Sequence, residues 1–201
     1  LNTINFQTLI ATKSSRINFS AKGDLVMEFG LRRAQGRSAG IYGAKAAIIG
    51  GCSATSNVLA AKKFDVPAIG THSHSWIQSF DSELEAFRAY AKIYPNSTLL
   101  LVDTYDTLAS GVPNAITVFK ELRASGYEPL GIRIDSGDLE YLTKQARKML
   151  DAAGFESAKI TASNDLDEYA IDQLKLFDAK IDSWGIGTRL ITGGDSSSLG
   201  G

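Results

Sequence analysis

The sequence is poor in the residues that staple, kink or coordinate: it has one cysteine, two histidines and four prolines. A lone Cys52 cannot form an internal disulfide, so a disulfide-stapled secreted domain is excluded and a reducing cytosol fits. The charge is nearly balanced, with 21 basic against 22 acidic side chains, which argues against binding nucleic acid through bulk electrostatics. No stretch approaches the ~18 uncharged apolar residues that span a bilayer. The longest candidate, Ala46–Gly51, is far too short. The start of the chain lacks the basic and apolar segments of a signal peptide. It begins at Leu1 and ends on Leu199-Gly200-Gly201, and it reads as a piece of a longer protein. The Ser-rich stretch Asp195–Leu199 reads as a loop cut short.

What is present is an alternation of types, in a composition that is 44% hydrophobic and 21% charged, ordinary for a globular protein. Apolar runs rich in Val, Ile and Leu recur at Leu25–Phe29, Pro67–Gly70, Thr98–Val102, Leu130–Ile134, Lys159–Ala162 and Lys180–Gly185. None alternates polar with apolar, so they read as strands buried on both faces, as in a parallel sheet. Helical stretches lie between them. Asn2–Phe19 is one. Ser82 and Glu85 have capping-box spacing before a second. Pro113 suits the first turn of a third, which Gly126 would stop. Leu139–Ala153 ends at Gly154, and Asp165–Phe177 follows Asn164 as N-cap. Strand, loop and helix repeating in this way predict a βαβ architecture. A closed eight-stranded barrel takes ~250 residues, so five or six strands make most of a barrel.

The apolar runs empty directly into polar loops. The carboxyl ends of parallel strands form one face, where catalysis sits, so these loops are expected to converge on one pocket. His72 and His74 share one such loop. Each could be a satisfied core or capping histidine. Together with Asp103 or Asp106 they could instead ligate a metal. Asp103/Asp106 and Asp135/Asp138 are two carboxylate pairs at three-residue spacing. Capping suits Asp106 and Asp138, while Asp103 and Asp135, at strand ends, could bind Mg²⁺ or a sugar diol. Arg133 sits inside an apolar run and needs an anion, either an internal acid such as Asp135 or a substrate carboxylate held bidentately. Gly185-Ile186-Gly187-Thr188 could offer backbone N–H groups to a phosphate. The dinucleotide pattern would want a further glycine where Leu190 stands, and no Walker lysine motif is present.

Six motifs in order carry a resemblance: Glu28-Phe29-Gly30-Leu31-Arg32-Arg33-Ala34, Gly70-Thr71-His72-Ser73-His74-Ser75, Asp103-Thr104-Tyr105-Asp106-Thr107, Arg133-Ile134-Asp135-Ser136-Gly137-Asp138, Ala162-Ser163-Asn164-Asp165-Leu166-Asp167 and Gly185-Ile186-Gly187-Thr188. Together the chain resembles the nicotinate phosphoribosyltransferase family over essentially its whole length. Family members are about twice as long, so the resemblance is to their central portion. It implies a single TIM-like β/α barrel of the type II phosphoribosyltransferase kind, incomplete here, with an N-terminal domain and the end of the barrel outside residues 1–201.

The resemblance further implies the joining of nicotinate to phosphoribosyl pyrophosphate, coupled to ATP hydrolysis, in NAD biosynthesis. It makes His74 the transiently phosphorylated residue. Thr71 and Arg133 match nicotinate contacts, with Ser136 beside them. Phe29 and Arg32 match a base-stacking and phosphate-contacting pair. Ser163, Asn164, Gly185, Gly187 and Thr188 match the phosphate-binding region. Asp103 and Asp135 fall where diol or Mg²⁺ contacts are expected. Mg²⁺ and ATP are the implied cofactor and co-substrate, no resident metal site is expected, and a cytoplasmic homodimer is implied, without nucleic-acid or membrane partners. The chemistry suits these residue types. Nicotinate is a flat aromatic carboxylate, matched by a stacking ring and a planar guanidinium. A neutral imidazole nitrogen accepts a phosphoryl group.

Rival readings remain. Quinolinate carries two carboxylates and would want a more basic pocket; a nicotinamide enzyme would want another acid near the ring, which Thr71-His72 does not supply. A metal-dependent barrel lyase or aldolase would use His72, His74 and Asp103. A non-catalytic folding or interaction piece is the last.

Overall fold

The computed structural model describes residues 1–194; the Ser-rich stretch Asp195–Leu199 lies outside the described residues. In chain order the elements are α1 (Asn2–Ala21), β1 (Leu25–Glu28), α2 (Arg37–Ile49), β2 (Ala54–Thr55), α3 (Val58–Phe64), α4 (His74–Gln78) and α5 (Glu83–Ile93). There follow β3 (Leu99–Leu101), α6 (Val112–Ala124), β4 (Gly131–Ile134), α7 (Leu139–Ala152), β5 (Lys159–Asn164), α8 (Glu168–Leu176), β6 (Ser183–Ile186) and α9 (Thr188–Ile191). Strands alternating with helices make this a mixed α/β protein, and every paired strand runs parallel to its partner.

The chain divides into two compact units. The first comprises, among the described residues, 1–70, 163–177 and 183–194. Here β1 is central, pairing Met27 with Ala54 of β2 and Leu25–Glu28 with Ser183–Ile186 of β6. Val26, Trp184 and Ile186 are buried on these strands, and Ile10 and Ile17 of α1 are buried with them. α1 packs against α2, whose buried residues Gly40, Gly43, Ala44, Ala46 and Ala47 are small enough to let it approach. α1 is also tied to α8: Glu168 receives Lys13 at 2.7 Å and Arg16 at 3.0 Å.

The second unit comprises residues 71–162 and 178–182. β3, β4 and β5 pair in order, Leu99 with Gly131 and Gly131 with Lys159. All of β3 is buried, as are Ile132, Ile134 and Ile160, so these strands are covered on both faces as their uninterrupted apolar runs predict. Phe87, Phe119 and Leu150 from the helices and Phe155 from the loop after α7 are buried in the same core, with Phe119 and Phe155 edge to face at 5.5 Å.

Most of the expected elements are found within a residue or two. Ser82 caps α5 through the Glu85 N–H, and α7 stops at Ala152, two residues before Gly154 at φ 82°. Two expectations need correcting. Pro67–Gly70 is no strand. Pro67 has no N–H to offer a ladder, and the run makes only an isolated parallel bridge, Ala68 with Thr55. The strand in that place is the two-residue β2. Asn164 does not cap α8; it ends β5, and Asp167 caps the helix through Tyr169 and Ala170 N–H groups. Pro113 falls in the first turn of α6 as expected, and a π-helical turn, Thr107–Gly111, precedes that helix.

Candidate active site

The segment before α4, strand β4 and the loops after β3 and β4 bring together Thr71, His74, Asp103, Thr104, Arg133, Asp135 and Ser136 in the second unit. Arg133 points out of β4 and is only partly buried. Its Nη1 donates to Thr71 Oγ1 at 2.8 Å and its Nη2 to Asp135 Oδ1 at 2.9 Å. The internal ion pair is therefore the arrangement adopted, with a threonine hydroxyl on the other branch of the fork. The second oxygen of Asp135, Oδ2, faces His74 Nε2 at 3.5 Å. On the other side of that ring, Nδ1 lies 3.2 Å from Thr104 Oγ1. Thr71, Arg133, Asp135, His74 and Thr104 thus form one polar chain.

Asp103 ends the β3 segment and serves the neighbouring loop. Its Oδ2 accepts the Asp135 N–H at 2.9 Å and the Ser136 hydroxyl at 2.5 Å. Its Oδ1 is buried with no hydrogen-bond partner. Asp106 and Asp138 are caps. Asp106 accepts Leu108 and Ala109 N–H groups, and Asp138 accepts that of Tyr141.

The two histidines separate sharply. His74 opens α4 and leaves 39% of its side chain accessible. His72 is 7% exposed. Its Nε2 accepts the Leu101 N–H at 3.2 Å, and its ring meets Tyr90 edge-on at 4.7 Å. Burial, above all, pushes its pKa down to about 4, with the Arg133 and His74 charges acting in the same direction. His72 is a neutral core histidine. With its Nε2 lone pair taken by the Leu101 N–H and its Nδ1 buried, it stands outside the ligand set a His-x-His metal lyase would need. Among the described residues, no group of three or more His, Cys, Asp and Glu is placed to hold a metal ion.

The strand ends of the first unit carry a second cluster. Phe29 follows β1, with its N–H on Ile186 O at 2.8 Å. Its ring lies against Gly185, where an added Cβ would sit 2.5 Å from a ring carbon. Only glycine allows this approach. Gly187 lies beside the Phe29 carbonyl, and Thr188 is the first residue of α9. Ser163 is buried near Gly185, and Asn164 is exposed at φ 129°, a backbone conformation that side-chain-bearing residues rarely adopt. Arg32 is exposed, on the short 3₁₀ turn Leu31–Arg33.

The sequence reading missed two participants. Glu28 is fully buried and bonded to the turn it precedes. Thr104 is the partner of His74. An acid closing an apolar run was a signal for the first. For Thr104, a single hydroxyl in a polar loop carries none.

Comparison with known proteins places the chain in a family. The family model described as "Nicotinate phosphoribosyltransferase (NAPRTase) family" matches residues 25–196. A nicotinate phosphoribosyltransferase of Bacillus subtilis is 54% identical over 200 residues, covering 100% of this chain and 40% of that protein. One of Mycobacterium tuberculosis is 43% identical over 199 residues, covering 99% of this chain and 42% of that protein. The crystal structure of human nicotinic acid phosphoribosyltransferase superposes with a TM-score of 0.85 at 29% identity, over 92% of this chain and 48% of that one. The chain spans less than half the length of these relatives. Its matched segment includes every residue of both clusters, and the chain belongs to the nicotinate phosphoribosyltransferase family.

Proposed function

We propose that the full-length protein is a nicotinate phosphoribosyltransferase of NAD biosynthesis. It joins nicotinate to phosphoribosyl pyrophosphate, releasing nicotinate mononucleotide and pyrophosphate, with ATP hydrolysis coupled in. The carrying observation is the polar chain from Thr71 through Arg133 and Asp135 to His74. It links the residues read as the nicotinate contact to the residue read as the phosphoryl acceptor.

The roles follow from the donors and acceptors. Ionised Asp135 only accepts, so it holds the proton on His74 Nε2 and leaves the lone pair on Nδ1. Nδ1 attacks the γ-phosphorus of ATP, ADP departs, and water later takes the phosphoryl group from the ring as phosphate. Thr104 orients the attacking nitrogen. Arg133 turns one edge of its fork toward the nicotinate carboxylate, with Thr71 beside it. In the first unit, Phe29 and Arg32 take the base-stacking and phosphate-contacting roles that the resemblance implies, and Ser163, Asn164, Gly185, Gly187 and Thr188 serve the phosphates. Nicotinate nitrogen attacks the ribose carbon as the bond to pyrophosphate breaks, through an oxocarbenium-like state of the kind met in glycoside hydrolysis.

Mg²⁺ fits one observation. The unpartnered, buried Oδ1 of Asp103 is a carboxylate oxygen with capacity for a cation. Mg²⁺ commonly takes one or two carboxylates with substrate phosphates completing its shell. When bound, it would neutralise charge on the departing pyrophosphate. A single TIM-like barrel portion, a homodimer and a cytoplasmic location belong to the same proposal. The parallel pairing of strands that alternate with helices supports the barrel. No helix among the described residues is long and apolar enough to cross a membrane.

Phosphohistidine trapping tests the His74 role. Full-length protein incubated with γ-labelled ATP is expected to carry acid-labile label, which His74→Ala loses and His72→Gln keeps. Label retained in His74→Ala and lost in His72→Gln would reverse the assignment.

A further inference from the structure

Glu28 closes β1 with none of its surface exposed, and nothing in the chemistry above uses it. Burying a carboxylate is costly unless its oxygens are satisfied. Here both are. Oε1 accepts the Gly30 N–H, and Oε2 accepts the Thr55 hydroxyl. Burial pushes the Glu28 pKa up, and the bonds from Thr55 and Gly30 pull against it.

The partners are themselves anchored. Thr55 Oγ1 accepts the Asn57 N–H at 3.0 Å. The Asn57 side chain caps α3 through Ala60 N–H at 3.1 Å and donates to Gly40 O of α2 at 3.1 Å. Glu28 therefore connects the end of a central strand to a hydrogen-bonded frame of two helices.

Its other connection is to a turn that must hold its shape. Gly30 is gripped from two sides. Its N–H is on Glu28, and an added Cβ would sit 2.4 Å from the Cβ of Ile191 at the end of α9. The 3₁₀ turn that carries Arg32 starts from Gly30, whose carbonyl accepts the Arg33 N–H at 2.8 Å. Phe29, whose ring rests on Gly185, is the residue between Glu28 and Gly30. The same α9 that presses on Gly30 begins at Thr188.

We propose that Glu28 is a positioning residue of the first-unit cluster: through Gly30 it fixes the turn that presents Phe29 and Arg32 to substrate. It touches no reacting atom. Its part is to hold the stacking ring and the exposed guanidinium in register with the Gly185–Thr188 loop. The proposal rests on the function proposed above for which substrates are bound, and on the hydrogen bonds for the positioning itself.

The test uses the full-length protein with Glu28→Ala, Glu28→Gln and Thr55→Val. Gln can still accept from Gly30 through its carbonyl and donate to Thr55 through its amide, so it should rescue. Lost positioning appears in KM before kcat: Glu28→Ala is expected to raise the nicotinate KM about tenfold with kcat within about threefold of wild type. Thr55→Val is expected to raise it about threefold, and Glu28→Gln to stay within about twofold. Thr55→Val also carries the test if Glu28→Ala does not fold. Lowered thermal stability with KM unchanged in the folded variants would overturn the proposal and leave Glu28 a packing strut. Wild-type protein inert toward nicotinate would sink the functional reading alone. Calorimetric titration of phosphoribosyl pyrophosphate into the same variants then decides, with about tenfold weaker binding by Glu28→Ala supporting positioning and equal binding refuting it.

Discussion

His72 turns inward, where its Nε2 accepts the Leu101 N–H, while His74 two residues on opens a helix and faces outward. The difference has a pH consequence. The pKa of His72 falls from 6.5 to about 4 on folding, so between those values the unfolded chain binds a proton that the folded one refuses. Stability is intact above pH 6.5 and declines as the pH falls toward 4, by about 3 kcal/mol across the window. Denaturant titrations from pH 7.5 down to 4.5 should show this decline, and His72→Gln, which can still accept from Leu101, should flatten it. An equal slope in the variant would assign the acid sensitivity to other groups. Neither histidine's environment was readable from a His-x-His spacing. The spacing is compatible with both rings pointing one way in extended chain and with their diverging in a turn, and it is the start of α4 at His74 that makes them diverge. The Arg133–Asp135 pair was legible, because an arginine within an apolar run requires an anion and the nearest one lies two residues away.

The carboxylate pairs show what can be read at the scale of elements. In each, the first acid belongs to a strand end and the second to the start of a helical segment. Asp106 and Asp138 accordingly spend an oxygen on backbone N–H groups, while Asp103 accepts from the Asp135 N–H and the Ser136 hydroxyl, and the Asp135 carboxylate meets Arg133 and His74. Asp138→Ala should remove the α7 cap at a cost of about 1 kcal/mol and leave phosphohistidine formation unchanged. Chemical denaturation beside the labelling assay checks both, and lost labelling in a folded Asp138→Ala would place that acid in the reaction. Strands β1, β3, β4, β5 and β6 were legible as uninterrupted apolar runs. The two-residue β2 was not, because so short a strand has no periodicity and is defined only by its partner β1. α2 and α3 were passed over for a related reason. Their buried faces are Gly and Ala, which give no hydrophobic signal but are what allow close helix packing.

At the scale of the molecule, the two clusters of strand-end residues lie in different compact units, and each was assembled from motifs far apart in sequence. Thr71 and Arg133 are 62 positions apart and share a hydrogen bond. That closeness is made by packing within the second unit, where the segment before α4 lies against β4. The identity of the base could be approached from sequence only through resemblance. Arg133 is already shared between Asp135 and Thr71, and one guanidinium suits one carboxylate better than the two of quinolinate. The most direct measurement is therefore a product assay. Full-length protein is given phosphoribosyl pyrophosphate, ATP and Mg²⁺ with nicotinate, nicotinamide or quinolinate, and both mononucleotide and pyrophosphate are quantified. The result expected is nicotinate mononucleotide and pyrophosphate in equal amounts from nicotinate, with the other two bases turned over far more slowly. Preferred turnover of nicotinamide or quinolinate, or no pyrophosphate from any base, would contradict the account.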